Sequence, residues 1–487
     1  MRRRTRLLIA VPAVVAVVFS AALMACTRQG GFSGSREAAP PPGVLVDWGR
    51  SVFRYETFGN ERFWTDTLGL VAGLDRVTPD GLLAAGLRFD GDKLPADVRR
   101  SEPGAGPYTD PATTRRLIEA NAVIGLVARG DRVGVTCALC HSAVDDRIGP
   151  GVGRRLDGVP NTALRAGRLI AWGERSRAYA LFLNVRGIGP GPRVDPALFA
   201  SREPDGAALM ERQADAALRA WLPGQADTTP DGIDNPTDTP AIFNLQDVGP
   251  YTWTGAFPDS IAAHNYFFSV VLDPTTLATT EGRTFLASTA GSAGEDLHGG
   301  YRALLSALDP GATWPHVVAK PGGFALFRAT HDIGFQVARD DLDAVSAYLA
   351  RMLPPPSGGL DQEAVDAGRR VFRASGCNEC HLEGRKTIGR IIPLGKLVSP
   401  GDHRSTGYDD ALIAVAMRDE RAGYKVPQLL GLELTAPYLH DGSVGTLDAL
   451  FSPERGPAAP HPFYVRHPDE RAELAAYLLA WDGRAYP

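Results

Sequence analysis

The sequence lacks an excess of positive charge, since 51 Lys and Arg residues face 56 Asp and Glu residues and the net charge is -5. Four of the arginines (Arg2, Arg3, Arg4 and Arg6) lie at the N-terminus, and without them the balance is more negative still. Because nucleic-acid binding depends on neutralising phosphates with cationic side chains, nucleic acid is excluded as a partner. A content of 44% hydrophobic and 22% charged residues also excludes wholesale disorder, collagen-like repeats and a protein with many membrane spans.

Cysteine and methionine are also scarce, with five of each among 487 residues. A chain of this length is enough for two to four domains. One cysteine, Cys26, lies near the N-terminus, and the other four form two pairs with identical spacing. The small number of methionines leaves few sulfur atoms as metal ligands.

The N-terminal segment 1–43 has the features of an export signal followed by a flexible tether. Four arginines precede the uncharged segment Leu7–Ala25, and Leu-Met-Ala before Cys26 resembles a bacterial lipobox. The resemblance implies removal of residues 1–25 and a lipid on Cys26, with residues 26–43 as a small, polar, proline-rich tether. An uncleaved anchor helix is the alternative, and either way the folded part lies on the periplasmic side of a membrane. Thr27 stands where Asp would indicate inner-membrane retention, which favours the outer membrane.

The remaining cysteines form two CxxCH motifs, Cys137-Ala-Leu-Cys140-His141 and Cys377-Asn-Glu-Cys380-His381. This pattern is typical of c-type haem attachment: two thiols bind the vinyl groups of one porphyrin, and the adjacent histidine ligates the iron. A disulfide, a zinc site and a thioredoxin-like redox pair are the alternatives, but none requires a histidine after each second cysteine. The sequence therefore predicts two covalent haem c groups, with His141 and His381 as axial iron ligands.

Three amphipathic segments accompany these motifs and predict helices. Glu363–Ser375 leads into the second motif, Asp469–Trp481 ends the chain, and Asp340–Met352 closes the region of the first motif. A helix before CxxCH and a closing helix that crosses it resemble a class I cytochrome c domain. The predicted fold is mainly α, with two such haem domains in tandem at 111–353 and 361–487.

An internal repeat lies between each motif and its closing helix. Pro240–Gly255 aligns without gaps on Pro427–Gly442, with five identities. The interval from His141 to Pro240 is about twice as long as the interval from His381 to Pro427. The first haem domain is therefore expected to carry long, loop-rich insertions.

One of these insertions, Asp227–Pro240, contains four aspartates. They could bind calcium, but their spacing fits no EF-hand loop. We expect instead a solvated loop rich in turns.

Residues 44–110 are predicted to form an N-terminal extension without a haem site. Within them, Gly49–Arg54 resembles Gly368–Arg373 of the helix before the second motif. The similarity indicates either a relic of a third copy or chance likeness between two amphipathic helices.

The segments Ala436–Leu447 (APYLHDGSVGTL) and Tyr424–Leu429 (YKVPQL) resemble the bacterial dihaem cytochrome c peroxidase superfamily, which includes the MauG enzymes and the dihaem rubber oxygenases. The resemblance is specific over 361–487 and looser over 111–352. It implies two facing cytochrome c domains: one haem has an open iron face where peroxide or dioxygen reacts, and the other is six-coordinate and relays electrons. The long separation between Cys140 and Cys377 is closer to the rubber-oxygenase branch than to the compact peroxidases.

The same resemblance implies a haem-pocket histidine at His440. The aligned position in the first repeat is Trp253, whose indole can neither ligate iron nor shuttle protons. Trp253 could relay electrons, shield an open iron face or pack in the core. His264 is the nearest candidate distal base or ligand for the first haem, and its alternative is a polar residue in an apolar helix.

The sequence leaves the distal iron ligands open. After the signal segment the methionines are Met210, Met352 and Met417, and core packing is expected for the last two. The resemblance implies that the distal ligand of the second haem lies between His440 and the last helix. That interval contains His461, Tyr464 and His467, which are otherwise expected to be exposed loop residues.

Together these patterns predict an exported, membrane-tethered dihaem cytochrome that acts as a peroxidase-like oxidoreductase. Electrons from a small redox protein or a quinol-linked donor would enter at the second haem, and peroxide or dioxygen would be reduced at the first. Methionine scarcity favours the enzyme, because few strong distal ligands are available. A non-catalytic electron carrier with both irons six-coordinate is the alternative, and a dioxygenase acting on an apolar polymer or lipid is a weaker one.

Overall fold

The computed structural model describes residues 42–188, 191–246, 248–257, 261, 264–265, 267, 271–314, 339–359, 361–383, 387, 389–393, 423–455, 461 and 464–484. The predicted signal segment, Cys26 and most of the predicted tether lie outside these residues, as does Met417. Within the described ranges, no helix combines the length and the apolar character needed to cross a membrane.

Helices dominate the described part of the chain, which confirms the predicted mainly α class. The α-helices are α1 (Pro42–Tyr55), α2 (Leu70–Leu74), α3 (Pro79–Ala84), α4 (Ala96–Arg99), α5 (Pro111–Glu119), α6 (Ala138–His141), α7 (Ala166–Ile170), α8 (Pro204–Ala220), α9 (Thr280–Ala290), α10 (Ser292–Leu308), α11 (Arg339–Leu349), α12 (Gln362–Ala374), α13 (Leu447–Phe451) and α14 (Pro468–Leu479). A π-helical turn covers Phe63–Thr67, and 3₁₀ turns cover Gly106–Thr109, Ser176–Phe182, Pro196–Leu198, Pro274–Ala278, Cys377–Glu379, Leu432–Leu434 and Pro453–Arg455. The three predicted helices are present as α11, α12 and α14.

The strands are short and pair in twos. They are β1 (Phe89–Asp90), β2 (Leu126–Arg129), β3 (Arg132–Val135), β4 (Ser142–Val144), β5 (Val152–Gly153), β6 (Arg155–Asp157), β7 (Gln225–Ala226), β8 (Thr237–Asp238), β9 (Ile391–Pro393) and β10 (Gly423–Lys425). β1 and β5 pair in parallel, with Phe89 opposite Val152. The antiparallel pairs are β2–β3, β4–β6, β7–β8 and β9–β10.

Helices α12 and α14 cross where α12 carries a glycine. The apolar side of α12 is buried, and Asp361 caps its start by accepting a hydrogen bond of 3.0 Å from the Glu363 amide. At Gly368 a Cβ atom would overlap the carbonyl oxygen of Glu473 on α14. The absence of a side chain therefore lets the two backbones touch, and the ring of Phe372 packs 5.5 Å from that of Tyr477.

Helices α1 and α11 cross in the same manner. A Cβ atom on Gly49 would overlap the carbonyl oxygen of Ala344, and the ring of Phe53 lies 5.8 Å from that of Tyr348. The likeness between Gly49–Arg54 and the start of α12 thus coincides with equivalent packing. The likeness of Gly49–Arg54 to Gly368–Arg373 is therefore explained by a shared helix crossing: α1 packs on α11 as α12 packs on α14. This explanation differs from both a relic of a third copy and chance similarity.

The repeat found in the sequence also repeats in backbone conformation. The peptide bonds preceding Pro250 and Pro437 are both cis, and the residues two positions after them, Thr252 and Leu439, have φ values of 72° and 73°. Each segment closes with a glycine at positive φ, where a residue with a side chain is strained.

The same hydrogen bonds recur in both copies. The Tyr251 hydroxyl donates to the Leu245 carbonyl at 3.0 Å, and the Tyr438 hydroxyl donates to the Leu432 carbonyl at 3.0 Å. Tyr251 also forms an antiparallel bridge with Phe257, and Tyr438 forms the equivalent bridge with Val444. Residues that are paired in the ungapped alignment therefore make the same hydrogen bonds in the two copies.

The aspartate-rich insertion is buried, so the prediction of a solvated loop is wrong. Asp227, Asp231, Asp234 and Asp238 have between 0% and 4% of their surface exposed. Backbone amides and an indole donate hydrogen bonds within this insertion: Thr229 N donates to Asp227 Oδ1 at 2.8 Å, and Trp221 Nε1 donates to Asp234 Oδ1 at 2.7 Å. Among the described residues, no cluster of three or more His, Cys, Asp or Glu has the arrangement of a metal site.

Candidate functional site

The first CxxCH motif occupies α6. Cys137 stands at the start of this short helix, and the His141 amide donates to the Cys137 carbonyl at 3.2 Å. Gly125, at φ 87°, is placed so that a Cβ atom would overlap the backbone of Leu139. This close approach holds the motif against the β2–β3 hairpin.

The second CxxCH motif follows α12 directly. Gly376 takes φ 75° and turns the chain into the 3₁₀ turn Cys377–Glu379. The His381 amide donates to the Cys377 carbonyl at 3.0 Å, as in the first motif. Within both motifs the two cysteines and the histidine lie on one tight turn.

The two motif histidines make equivalent hydrogen bonds through the repeat. Nδ1 of His141 lies 3.1 Å from the Pro240 carbonyl oxygen, and Nδ1 of His381 lies 3.1 Å from the Pro427 carbonyl oxygen. A carbonyl can only accept, so each Nδ1 donates its proton and each Nε2 keeps its lone pair for a metal. The sequence alignment paired these prolines but did not reveal this role.

Burial also favours the neutral form of both imidazoles. It lowers the pKa of His141 and of His381 to about 4, although their proline carbonyls act in the opposite direction. Both rings are therefore uncharged at neutral pH, as an iron ligand must be. These properties fit the proximal role predicted for the two histidines.

The motif cysteines do not have the properties of a redox-active pair. All four are free thiols. Burial raises the pKa of Cys137 to about 11 and that of Cys140 to about 12. Cys377 is likewise raised, to a pKa of about 11. A thioredoxin-like pair needs a lowered pKa, so the thiols favour a haem attachment site over that alternative.

His461 faces the second motif. Its ring centroid lies 6.2 Å from that of His381, and burial together with His381 and Arg455 lowers its pKa to about 4. Two metal–imidazole bonds of about 2 Å plus the radii of the two rings give a separation of about 6 Å. His461 is therefore a partly buried pocket residue, and its expected place in an exposed loop is wrong.

The other residues of that interval lie differently. His467 is exposed and stands at the position before α14, as the sequence predicted. Tyr464 is half-buried. His461 is therefore the residue of this group that the structure brings to the second motif.

His440 is buried against an aromatic ring. It stacks on Tyr424 with ring centroids 4.1 Å apart and an angle of 29° between the planes. Its carbonyl accepts a hydrogen bond of 2.8 Å from the Asp238 amide. His440 thus lies where the two copies of the repeat meet.

Trp253 takes the equivalent place in the first copy. Its indole Nε1 donates to the Asp238 carbonyl at 2.8 Å, and its own carbonyl accepts a hydrogen bond of 2.8 Å from the Lys425 amide. Its ring is half-buried. Trp253 and His440 therefore both hold the contact between the copies.

His264 lies in helical backbone beside the first motif. Its ring packs 5.8 Å from that of Tyr251 and 5.9 Å from that of Phe257, and its Nδ1 lies 3.3 Å from Asn265 Oδ1. Its pKa is lowered to about 4, chiefly by burial and in smaller part by the proximity of His141 and Lys425. The structure thus places His264 near His141, and its role as a distal base or ligand of the first haem stays a prediction.

The described methionines pack in the core. Met210 is fully buried in α8. Met352 is 7% exposed, and its sulfur occupies the space beside Gly158, where a side chain would collide with it and with Phe243. The expectation of core packing for Met352 is confirmed.

Two buried charged residues in this region were missed in the sequence. The pKa of Asp238 is raised to about 8, first by burial and then by Asp441, and its Oδ1 has no hydrogen-bond partner among the described residues. Burial lowers the pKa of Lys425 to about 8, and its Nζ donates to the Val248 carbonyl at 3.4 Å. Each lies two residues before the proline that contacts a motif histidine, and this fixed offset is the signal that could have identified them.

Comparisons with known proteins give partial matches. A family model described as RoxA-like, cytochrome c-like matches residues 423–459. Cytochrome c551 peroxidase from Nitrosomonas europaea is 29% identical over 98 residues, which cover 20% of this chain and 28% of that protein. A solved MauG-like protein associated with microbial copper homeostasis is 20% identical, with a TM-score of 0.22, over 29% of this chain and 56% of that chain.

The match over residues 423–459 and the two CxxCH motifs are similar to those of cytochrome c-type proteins, and these similarities imply covalently bound haem c. Within that class, the predicted resemblance to the dihaem cytochrome c peroxidase and MauG superfamily is confirmed. The chain spans little more than a quarter of the length of the curated relative that it matches.

Proposed function

We propose that the chain is an exported dihaem oxidoreductase of the cytochrome c peroxidase type, with two cytochrome c-like haem domains. The first domain would open with α1 and close with α11, and the second would open with α12 and close with α14. Equivalent helix crossings and equivalent histidine–proline contacts support this division. The domain limits differ from those expected in the sequence, since α1 joins the first haem domain.

The residues present fit one covalent haem in each domain. Cys137, Cys140 and His141 would hold the first haem, and the corresponding residues of the second motif would hold the other. Their partly buried thiols and neutral imidazoles match that donor set. When bound, the haems supply one-electron redox chemistry, and reduction of hydrogen peroxide to two waters consumes two electrons and two protons.

His461 would give the second haem a sixth ligand. Its 6.2 Å ring separation from His381 is the observation that carries the proposal, because it differentiates the two sites. An iron with two histidine ligands has no open position for an oxidant, so the second site would serve as the relay. The first site would then bind the oxidant.

His264 would act as the distal base of the first site. Its Nδ1 contacts Asn265 Oδ1, and Nε2 would be the atom that accepts or returns a proton. Its lowered pKa, about 4, keeps the ring neutral and able to accept a proton at neutral pH. Trp253, whose carbonyl accepts a hydrogen bond from the Lys425 amide of the second copy, would carry electrons between the sites.

Spectra of the half-reduced holoprotein test this proposal. Optical and EPR spectra are recorded after one electron equivalent, before and after stoichiometric peroxide. We expect one low-spin haem and one high-spin haem whose signal disappears with peroxide. Two low-spin haems that do not respond to peroxide would overturn the enzymatic proposal.

A non-catalytic electron carrier is the second candidate. His264 lies close enough to His141 for their charges to interact, so it could also ligate the first iron. Replacing His264 with Ala separates the two roles. A low-spin first haem that becomes high-spin in H264A identifies an iron ligand, whereas a first haem that is already high-spin in the native protein identifies a distal base.

We also propose that a lipid on Cys26 tethers the protein to the periplasmic side of a membrane, where a small redox protein or a quinol-linked enzyme would supply electrons. The support is the lipobox-like sequence before Cys26. Cell fractionation of C26S tests the tether. The variant should become soluble, and a variant that stays with the membrane would indicate an anchor helix.

A further inference from the structure

Asp238 and Lys425 occupy equivalent positions, one with an acidic and the other with a basic side chain. Each lies two residues before a proline whose carbonyl contacts a motif histidine. The Asp238 amide donates to the His440 carbonyl at 2.8 Å, and the Lys425 amide donates to the Trp253 carbonyl at 2.8 Å. Because His440 and Trp253 are themselves equivalent, the two hydrogen bonds are reciprocal between the copies.

The two side chains also cross to the opposite copy. The Lys425 amine reaches the Val248 carbonyl of the first copy at 3.4 Å, and its charge acts on His264. The Asp238 carboxyl lies against Gly442 of the second copy, and the charge of Asp441 acts on it. A base from the second copy therefore acts on His264 beside the first motif, and an acid from the first copy lies against Gly442 of the second.

The surroundings of the Lys425 amine make it an uncompensated cation. Its hydrogen-bond acceptor among the described residues is one neutral carbonyl at the limit of hydrogen-bond distance. The imidazoles of His264 and His141 carry no negative charge and so cannot compensate the ammonium group of Lys425. Partial burial weakens screening by water, so this charge acts over a longer range than a surface lysine.

We propose that Lys425, carried by the second copy, supplies a buried positive charge to the first haem pocket and raises the reduction potential of the first haem. The inference rests on the proposed haem assignment. Reduction of Fe(III) to Fe(II) adds one electron and removes one positive charge from the pocket. A nearby cation therefore favours the reduced state, which draws the electron from the second haem toward the first.

Replacing Lys425 with Met removes the charge but keeps a side chain of similar length. Spectroelectrochemical titration of the holoprotein at about pH 6.5, without peroxide, gives both midpoint potentials. We expect about a tenfold fall in the reduction equilibrium constant of the first haem, which corresponds to about 59 mV for one electron. The second haem should keep its potential, and K425R should restore that of the first haem.

Two further variants make the measurement specific. H381M assigns the two measured potentials to the two haems, because replacing the motif histidine of the second haem should shift the midpoint potential of that haem. D238N alters the equivalent position without changing charge, because the pKa of Asp238 is about 8, and it should leave the first haem unchanged. An unchanged first haem in K425M, or an equal shift in D238N, would overturn the proposal. Neither result depends on peroxide, so failure here is distinct from failure of the peroxidase proposal.

Discussion

At the scale of single residues, the contact that defines each candidate haem site is a histidine held by a proline carbonyl. Nδ1 of His141 and Nδ1 of His381 each lie 3.1 Å from the carbonyl oxygen of a proline in the repeat. The bond fixes which nitrogen carries the proton and which direction the ring faces. The sites differ on the opposite side of the ring, where His461 faces His381 and His264 lies in the first pocket.

Replacing His461 with Ala should change the spin state of the second haem. Loss of the sixth ligand leaves a five-coordinate iron, so the low-spin signal should give way to a high-spin signal in optical and EPR spectra. His467 provides the matched control, because it is exposed and lies close to His461 in the chain. An unchanged low-spin signal in H461A, or the same change in H467A, would show that His461 is not the ligand.

Asp238 should make the free energy of unfolding depend on pH. Its pKa rises from 3.8 to about 8 on folding, so the folded state binds the proton more tightly than the unfolded state. The contribution of this group to stability is therefore greatest below about pH 4 and is lost as pH rises to about 8. In D238N that loss is absent, so the melting temperature of the variant relative to the native protein should increase from pH 5 to pH 9.

D47N is the control for this pH dependence. The side chain of Asp47 is 69% exposed, and its loss should leave the pH dependence of the melting temperature unchanged. A difference between D238N and the native protein that stays constant with pH would contradict a raised pKa for Asp238.

At the scale of elements, the helix crossings depend on glycine at the contact point. Gly368 touches the backbone of α14, and Gly49 touches the backbone of α11. A methyl group at either position forces the helices apart, because the opposing atom is a carbonyl oxygen that cannot rotate away. This cost exceeds the gain in helix propensity of about 1 kcal/mol that alanine brings.

Gly368→Ala should lower the free energy of unfolding by about 2 kcal/mol, the usual range for overpacking a tight contact. Denaturant unfolding of the holoprotein measures the change. Gly358→Ala is the matched control, since no atom lies within 4 Å of the added methyl group. Equal stability of G368A and G358A would mean that α12 and α14 do not touch at this point.

Local sequence patterns predicted the helices well, but they could not predict which distant segments pack against each other. Period 3.6 identified α11, α12 and α14 because each has one apolar side. The partnership of α1 with α11 was not predicted, because more than half of the chain separates them and a short likeness carries no information on contact. The burial of the insertion at 227–240 was not predicted for a related reason. Aspartates are typical of solvated loops, and Trp221, which donates a hydrogen bond to Asp234, lies outside the insertion.

In the candidate site too, the features contained in a short stretch of sequence were predicted, and the contacts between distant residues were not. CxxCH identified the two motifs because the chemistry is contained in one short run of consecutive residues. The sequence named His461 as one of three candidate ligands, and the contact with His381 that distinguishes it joins residues far apart in the chain. Lys425 and Asp238, each at the end of a short strand, were missed because their shared offset from the two prolines gains meaning only once the proline–histidine contacts are known.

At the scale of the whole molecule, the two copies of the repeat share their hydrogen bonds. Besides the reciprocal backbone bonds, Gln225 donates to the Asp441 carbonyl at 2.8 Å and Gln428 donates to the Phe243 carbonyl at 2.6 Å. Residues Gly43–Pro487 accordingly form one compact unit. Opening one copy would leave buried polar groups of the other without partners, which is costly.

Thermal unfolding of the holoprotein should therefore occur in one cooperative transition. Differential scanning calorimetry should give a calorimetric enthalpy equal to the van't Hoff enthalpy. Q225A, which removes one of the shared bonds, should lower the melting temperature without dividing the transition. Two separate transitions in the native protein would show that the copies unfold independently.

The reciprocal bonds between the copies have the pattern of an isologous interface, in which residue i of one subunit meets residue j of the other and the reverse. The chain thus resembles a homodimer whose two subunits are joined covalently. A true homodimer must carry the same residue at both equivalent positions. Its two metal centres are therefore identical, and electron transfer between them has no preferred direction. Joining the subunits in one chain allows position 238 to be aspartate and position 425 to be lysine, and differences of this kind between equivalent positions allow the two metal centres to differ.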